Sequence, residues 1–337
     1  MILRRWLERV WYGAGAGGWL LLPLSLLYII ATAARRLAYR NGLFSVRHPG
    51  VTVVVVGNIS VGGTGKTPLV IWLARTLADQ GVAVGVVSRG YGARRDVQPP
   101  MRVSDALSAD DVGDEPMLIA ARTGVPVVVG RDRFAAAAML ARDGVELIIA
   151  DDGMQHYALG RDVEIAVVDG RRRFGNGRLL PAGPLREPVA RLDVVDQVVI
   201  NGGQARGPSE LRMDLAGDTA FNLVDGRTMS LADAAGLRWH ALAGIGDPER
   251  FFGKLEASGL ALIRHPFPDH APLTSADLDF GDELPVIMTE KDAVKCRLFA
   301  DARCWVLPVE ACFAPGDAER LLSPILAGRR NHDANKG

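Results

Sequence analysis

Apolar positions along this chain cluster into short unbroken runs: Val53 to Val56, Val82 to Val87, Val125 to Val129, Leu147 to Ala150, Val163 to Val168, and Gln197 to Ile200. Between them lie patterns of helical type, starting at Lys66, from Val112 to Arg122, and from Arg131 to Arg142. Apolar strands separated by helices predict a parallel sheet covered on both faces. Arg94 to Ser108 reads as an irregular excursion. Residues 204–240 are polar and glycine-rich, and a domain junction is expected there. From His240 the alternation resumes, with a strand to Ile245, a helix from Pro248 to Ser258, and strands near Leu262, Val286 and Trp305. The stretch from Gly328 to Gly337 reads as a disordered tail.

The first 50 residues differ from the rest. Trp6, Trp11 and Trp19 are half of the six tryptophans, and Gly18 to Ala34 carries no charge. Arg4 and Arg5 precede this run, and Arg35, Arg36 and Arg40 follow it. A signal peptide with Ala31-Thr32-Ala33 as its cleavage triplet is one reading. A transmembrane helix is another, although the run is short of the ~20 residues needed and contains Pro23. A buried core helix is a third. An interfacial helix fits best, with tryptophans at headgroup depth and arginines toward anionic lipid. Gly13 to Gly18 spells a dinucleotide-type glycine pattern, but no strand precedes it.

The candidate chemistry starts after the first strand. Thr52 to Leu73 reads strand, glycine loop, helix, through Gly57, Gly62, Gly63, Thr64 and Gly65 into Lys66 and Thr67. Glycines let successive amides turn inward around an anion, and the helix that follows points its positive end at it. Lys66 can then reach the β- and γ-phosphates, and the Thr67 hydroxyl a Mg²⁺ ion. Gly65-Lys66-Thr67 fits the phosphate-loop pattern, while Ser60 stands in place of its first glycine. Asp151 and Asp152 end an apolar run, where an aspartate can hold the metal or cap a turn. The expected fold class is therefore α/β: a P-loop NTPase-like parallel sheet with helices on both faces over residues 48–215. A smaller α/β domain over 216–328, an N-terminal membrane-associated helical segment over 1–47 and a tail over 329–337 complete it.

Composition adds exclusions. Lys plus Arg and Asp plus Glu number 39 each, and this neutral balance gives no support to nucleic-acid binding. Cys296, Cys304 and Cys312 lack metal or redox spacing and read as buried small hydrophobes. Thr289-Glu290-Lys291-Asp292 is one place out of register with a guanine-reading motif, so GTP is not indicated.

Taken together, GNISVGGTGKTP (57–68), SRGYG (88–92), GDEP (113–116), DDGMQH (151–156), DGRRRFGNGRLLPAGPLREP (169–188), AGIGDPERFF (243–252), FPDH (267–270) and TEKDAVK (289–295) resemble the tetraacyldisaccharide 4′-kinase family. Met154 stands where that family usually has phenylalanine, and Ala271 where a second histidine is common. The resemblance implies ATP- and Mg²⁺-dependent phosphorylation of the 4′-hydroxyl of a tetraacylated glucosamine disaccharide 1-phosphate, giving lipid IVA. It implies a location on the cytoplasmic face of the bacterial inner membrane, peripheral or monotopic. It also assigns Asp114 as general base with His270 as its partner. Asp151, Asp152 and Glu187 become metal-site or catalytic carboxylates, and Arg133, His156 and Arg186 phosphate or substrate contacts. Without the resemblance, Asp114 reads rather as a helix cap before Glu115-Pro116, and His270 as a loop histidine with no duty. A membrane-attached ATPase switch is the alternative function; its deviant type carries a lysine where this chain has Val61.

Overall fold

The computed structural model describes residues 2–13, 16–93, 97–104 and 107–334, without the side chains of 2–5, 16, 330, 331, 333 and 334. The side chains of Arg4 and Arg5, and parts of the 13–18 glycine run and of the 94–108 excursion, thus lie outside what is described. The chain opens with helix α1 (Ile2–Tyr12), a 3-10 turn (Ala16–Leu21) and helix α2 (Leu22–Arg40). The core follows as β1 (Thr52–Gly57), α3 (Lys66–Asp79), β2 (Val84–Ser88), β3 (Met101–Arg102), α4 (Ala109–Val112), α5 (Asp114–Thr123), β4 (Val127–Val129), α6 (Arg133–Arg142), β5 (Leu147–Asp151), β6 (Val163–Asp169) and β7 (Gln197–Asn201). Next come β8 (Glu210–Ala216), β9 (Thr219–Asn222), β10 (Thr228–Ser230), β11 (Arg238–Ala243), α7 (Pro248–Ala257), β12 (Ala261–Pro266), β13 (Val286–Thr289), α8 (Glu290–Cys296), β14 (Cys304–Leu307), β15 (Glu310–Phe313) and α9 (Asp317–Ala334).

Among the described residues a nine-stranded sheet has the order β15-β8-β7-β6-β1-β5-β2-β4-β3. Its strands are parallel except at the two edges, β15 and β3. The valines of β1 show why both faces are covered. Val54 and Val56 pack with Leu69, Leu73, Ile119 and Leu321 beneath α3, α5 and α9. Val53 and Val55 pack with Ala136, Leu140 and Met154 on the other face. Because side chains alternate along a strand, a run of β-branched residues serves two cores at once. A six-stranded sheet, β10-β9-β14-β13-β11-β12, forms the second layer system. Its core centres on Trp239, Phe252, Leu255 and Ile287.

Several expectations need correction. The junction region 204–240 contains β8, β9, β10 and the start of β11 rather than unpatterned chain. The excursion holds the short edge strand β3. The second domain does not run unbroken to 328: β15 returns to pair with β8, and Leu321, Leu322 and Ile325 of α9 enter the core of the first sheet. The tail is helical as far as Ala334, because this apolar stripe docks it. Cys312 is exposed, unlike Cys296 and Cys304, since its side chain lies on the solvent side of an edge strand.

The core-helix reading of the amino-terminal run fails as well. Within Gly17–Arg40, 11% of the most apolar window is buried. Trp19, Leu20, Leu24, Leu27 and Ile30 are all exposed. Ser25 is buried instead, and Tyr28 and Thr32 are partly covered on the same face. An outside that is apolar and an inside that is polar suits a helix whose outer surroundings are lipid.

Candidate active site

Lys66, Thr67, Asp151 and Asp152 lie at one rim because β1 and β5 are neighbouring parallel strands that end together, Val56 opposite Asp151. Ligands in such sheets bind beyond the carboxyl ends of the strands. The loop reaches α3 through Gly65, whose φ of 94° is left-handed. A Cβ there would lie 2.2 Å from Asn201 Nδ2. Asn201, at the end of β7, donates from that atom to Thr64 O at 2.9 Å and accepts from Arg250 Nη2 of α7 at 3.0 Å. Gly63 also meets the second domain, against the backbone of Gly246.

Lys66 Nζ lies 3.4 Å from Asp152 Oδ1. Arg186 Nη1 donates to both oxygens of Asp152 at 3.3 and 3.2 Å. Burial pushes the Asp152 carboxyl up, but these two cations outweigh it and hold it at about 2. Asp152 also has φ 49°, a backbone cost of order 1 kcal/mol that functional positions tolerate. Asp151 is its opposite. Burial, then Glu115 and Asp152, push it up to about 7 against the pull of Lys66 and Arg133. Ser88 donates to Asp151 Oδ2 at 3.3 Å, while its buried Oδ1 has no partner among the described residues.

The second half of the site is built by two helices packed together, α5 and α8, joined by an ion pair of Arg122 with Glu290. Asp114 begins α5 and is buried. His270 Nδ1 lies 3.0 and 3.1 Å from its two oxygens. Lys291 Nζ donates to His270 Nε2 at 3.2 Å, and to Glu115 and Asp269 at 3.0 Å each. An ammonium only donates, so Nε2 is the acceptor and the Nδ1–H tautomer faces Asp114. Lys295 Nζ lies 3.6 Å from Asp114 Oδ2. Burial pushes the Asp114 carboxyl up, but the His270 bond, Lys291 and Lys295 together leave it below the ordinary aspartate value. Lys291 is lowered by burial and raised by Glu115, Asp114 and Asp269, with a net rise.

Not every expected residue joins these two groups. Glu187 is spent on structure: Gln155 Nε2 donates to it at 2.8 Å, Tyr157 OH at 2.7 Å, and Arg191 Nε lies at 3.3 Å. The same Gln155 nitrogen donates to Asn58 O at 3.0 Å, so Glu187 braces the start of the phosphate loop. In this structure both of its oxygens are engaged by these partners. Arg133 is buried and donates to Gly130 O at 2.9 Å; burial lowers it to about 10 despite Asp151 and Asp152. His156 is lowered to about 4 by burial, then by Arg133 and Arg161. These surroundings favour its neutral form, which suits a hydrogen-bonding contact.

Sequence reasoning missed Lys291, Lys295 and Asn201. Lysines four apart on a helix share a face, which was the available signal for the first two. Asn201 ends an apolar run as Asp151 does, and that polar terminus was the signal for the third.

A family model described as tetraacyldisaccharide-1-P 4′-kinase matches residues 17–327. A tetraacyldisaccharide 4′-kinase of Methylobacillus flagellatus is 49% identical over 95% of this chain and 96% of its own. Another, of Alkalilimnicola ehrlichii, is 52% identical over 89% and 90% respectively. The crystal structure of the "apo" form of LpxK from Aquifex aeolicus in complex with ATP matches with a TM-score of 0.75, at 29% identity, over 91% of this chain and 98% of that one. On this likeness, which spans the phosphate loop, the Asp114–His270 pair and the second sheet, the chain belongs to the tetraacyldisaccharide-1-P 4′-kinase family.

Proposed function

We propose that this site transfers the γ-phosphoryl group of ATP to the 4′-hydroxyl of a tetraacylated glucosamine disaccharide 1-phosphate. As a family member the chain is a kinase; the roles of its residues are read from their surroundings. Lys66 and the amides of Gly62, Gly63, Thr64 and Gly65 receive the triphosphate. The orphaned Oδ1 of Asp151, with Asp152 next to it in the chain and the Thr67 hydroxyl at the start of α3 on the same sheet rim, gives an all-oxygen donor set that fits Mg²⁺. Bound there, the ion would neutralise charge on the phosphates.

Asp114 accepts the proton of the acceptor hydroxyl as the new P–O bond forms and the bond to ADP breaks. His270 holds that carboxylate in place through its Nδ1–H. The lysines keep Asp114 ionised, so its oxygen is always ready, though a weak base. A loose phosphoryl-transfer transition state asks for little more, since the proton leaves late. Arg186 suits contact with the phosphates or the acceptor. The apolar outer face of α2 suits the cytoplasmic surface of the inner membrane, where an acylated acceptor resides.

The observation that carries this reading is the Asp114–His270 pair, assembled from both sheets' elements beside a phosphate loop. Radiolabelled ATP, incubated with and without the tetraacyl disaccharide 1-phosphate and followed by lipid extraction, tests it. Acceptor-dependent label in the lipid phase is expected. ATP hydrolysis on plain vesicles, with no label in lipid, would point to the switch instead.

A further inference from the structure

We infer that Tyr28, on the inward face of α2, is a positioning residue for phosphoryl transfer, so that the membrane helix is a working wall of the site as well as a tether. The inference rests on the kinase reading above. The N-terminal helices are bound along one loop by five side-chain contacts to backbone carbonyls. Trp11 Nε1 donates to Pro181 O at 2.9 Å, and Ser25 Oγ lies 2.5 and 3.0 Å from Leu179 O and Leu180 O. Tyr28 OH donates to Arg186 O at 3.0 Å. From the loop side, Asn176 Nδ2 donates to Val10 O at 3.1 Å. An irregular loop has carbonyls that no strand or helix satisfies, and here the membrane helices satisfy them. A simple tether would need one point of attachment, not a laced edge.

The other side of the same loop is laced to the phosphate loop. Val61 N donates to Pro184 O at 2.8 Å, and Arg186 N to Ile59 O at 2.7 Å. Tyr28 thus grips the residue whose backbone holds Ile59 and whose guanidinium holds Asp152 beside Lys66. Losing the phenol hydroxyl frees the Arg186 peptide to rotate, and the guanidinium with it. A displacement of this kind lowers turnover without touching the face of α2 that meets lipid.

The test uses the full-length chain in detergent micelles with ATP and the tetraacyl disaccharide 1-phosphate. Tyr28→Phe is expected to lower kcat about fivefold, the worth of one net hydrogen bond, with vesicle flotation unchanged. In an Arg186→Lys background the same change is expected to have no further effect, because the residue it positions is already altered. Ser25→Ala, which loosens the same loop at the Leu179 and Leu180 carbonyls, is the second variant should Tyr28→Phe not fold. A kcat equal to wild type for both variants, or an equal loss in the Arg186→Lys background, overturns the inference. Wild-type protein that labels no lipid overturns the kinase reading too, which separates the two failures.

Discussion

His270 Nδ1 lies 3.0 Å from Asp114 Oδ1 although 156 residues separate them in the chain. One comes from the start of α5 and the other from the loop after β12 of the second sheet. His270 holds φ 61°, an uncommon conformation for a residue with a side chain. Such a backbone persists where neighbours fix it, and Lys291 and Tyr91 both contact the ring. Asp114→Asn is expected to lower kcat by about 10²–10⁴-fold while nucleotide affinity stays within about twofold, as for loss of a general base. Direct ATP-binding titration beside turnover checks it; a kcat near wild type would remove Asp114 from the role.

Lys295 offers a pH test of the same pair. Its ammonium, 3.6 Å from Asp114 Oδ2, is one of the groups holding that carboxyl below its ordinary value. Without it, the carboxyl takes up a proton at higher pH. Lys295→Met is therefore expected to move the acid limb of kcat/KM upward in pH and to leave the plateau little changed. An unmoved limb would mean that another group sets it.

The phosphate loop can be tested by two glycines of equal backbone type. Gly62 has φ 101° with nothing within 4 Å of a built Cβ, whereas Gly65 has φ 94° and a Cβ that would strike Asn201. Gly62→Ala bears only the left-handed cost, about 1 kcal/mol. Gly65→Ala bears that and a clash with a buried amide that bridges to Arg250. Loss of ATP binding in the second variant and a weakening of about fivefold in the first is the expected contrast, measured by titration with nucleotide. Equal effects would show that Asn201 can move aside.

His156 gives a stability prediction with a defined sign. Its folded value of about 4 lies below its ordinary 6.5, so the unfolded chain binds the extra proton between these values. The stabilisation is present above pH 6.5 and is lost as pH falls toward 4. The unfolding midpoint is expected to drop from pH 7 to pH 5, and less steeply in His156→Gln. Thermal scans across that range, with both proteins giving the same slope, would contradict the burial of a neutral imidazole.

What could be seen in the sequence follows from how local each signal is. The valine run of β1, the glycines before Lys66 and the strand-ending Asp151 are local, and the structure has them as a strand, a loop and a rim. The Asp114–His270 contact depends on α5 packing against α8, and only the family resemblance brought it forward. The sequence Glu210-Leu211-Arg212-Met213-Asp214-Leu215 alternates polar and apolar, a legible strand pattern, yet its charged alternate positions masked it within a polar region. Glu187 shows the reverse: its motif position suggested metal, but the tertiary partners Gln155, Tyr157 and Arg191 occupy its oxygens.

The outer face of α2 carries the last prediction, and it separates attachment from catalysis. Leu27 and Ile30 are 64% and 57% exposed, so charged residues there displace no packing in the protein. If that face meets lipid, each apolar side chain contributes about 1.5–3 kcal/mol to partition when buried. Leu27→Glu with Ile30→Glu is thus expected to reduce vesicle binding more than tenfold. Activity on an acceptor dispersed in detergent should stay near wild type, since neither residue reaches the loop at 179–186. Flotation unchanged by the two glutamates would mean that lipid lies elsewhere on the protein. Turnover lost in detergent, with flotation intact, would mean that this face packs against protein after all.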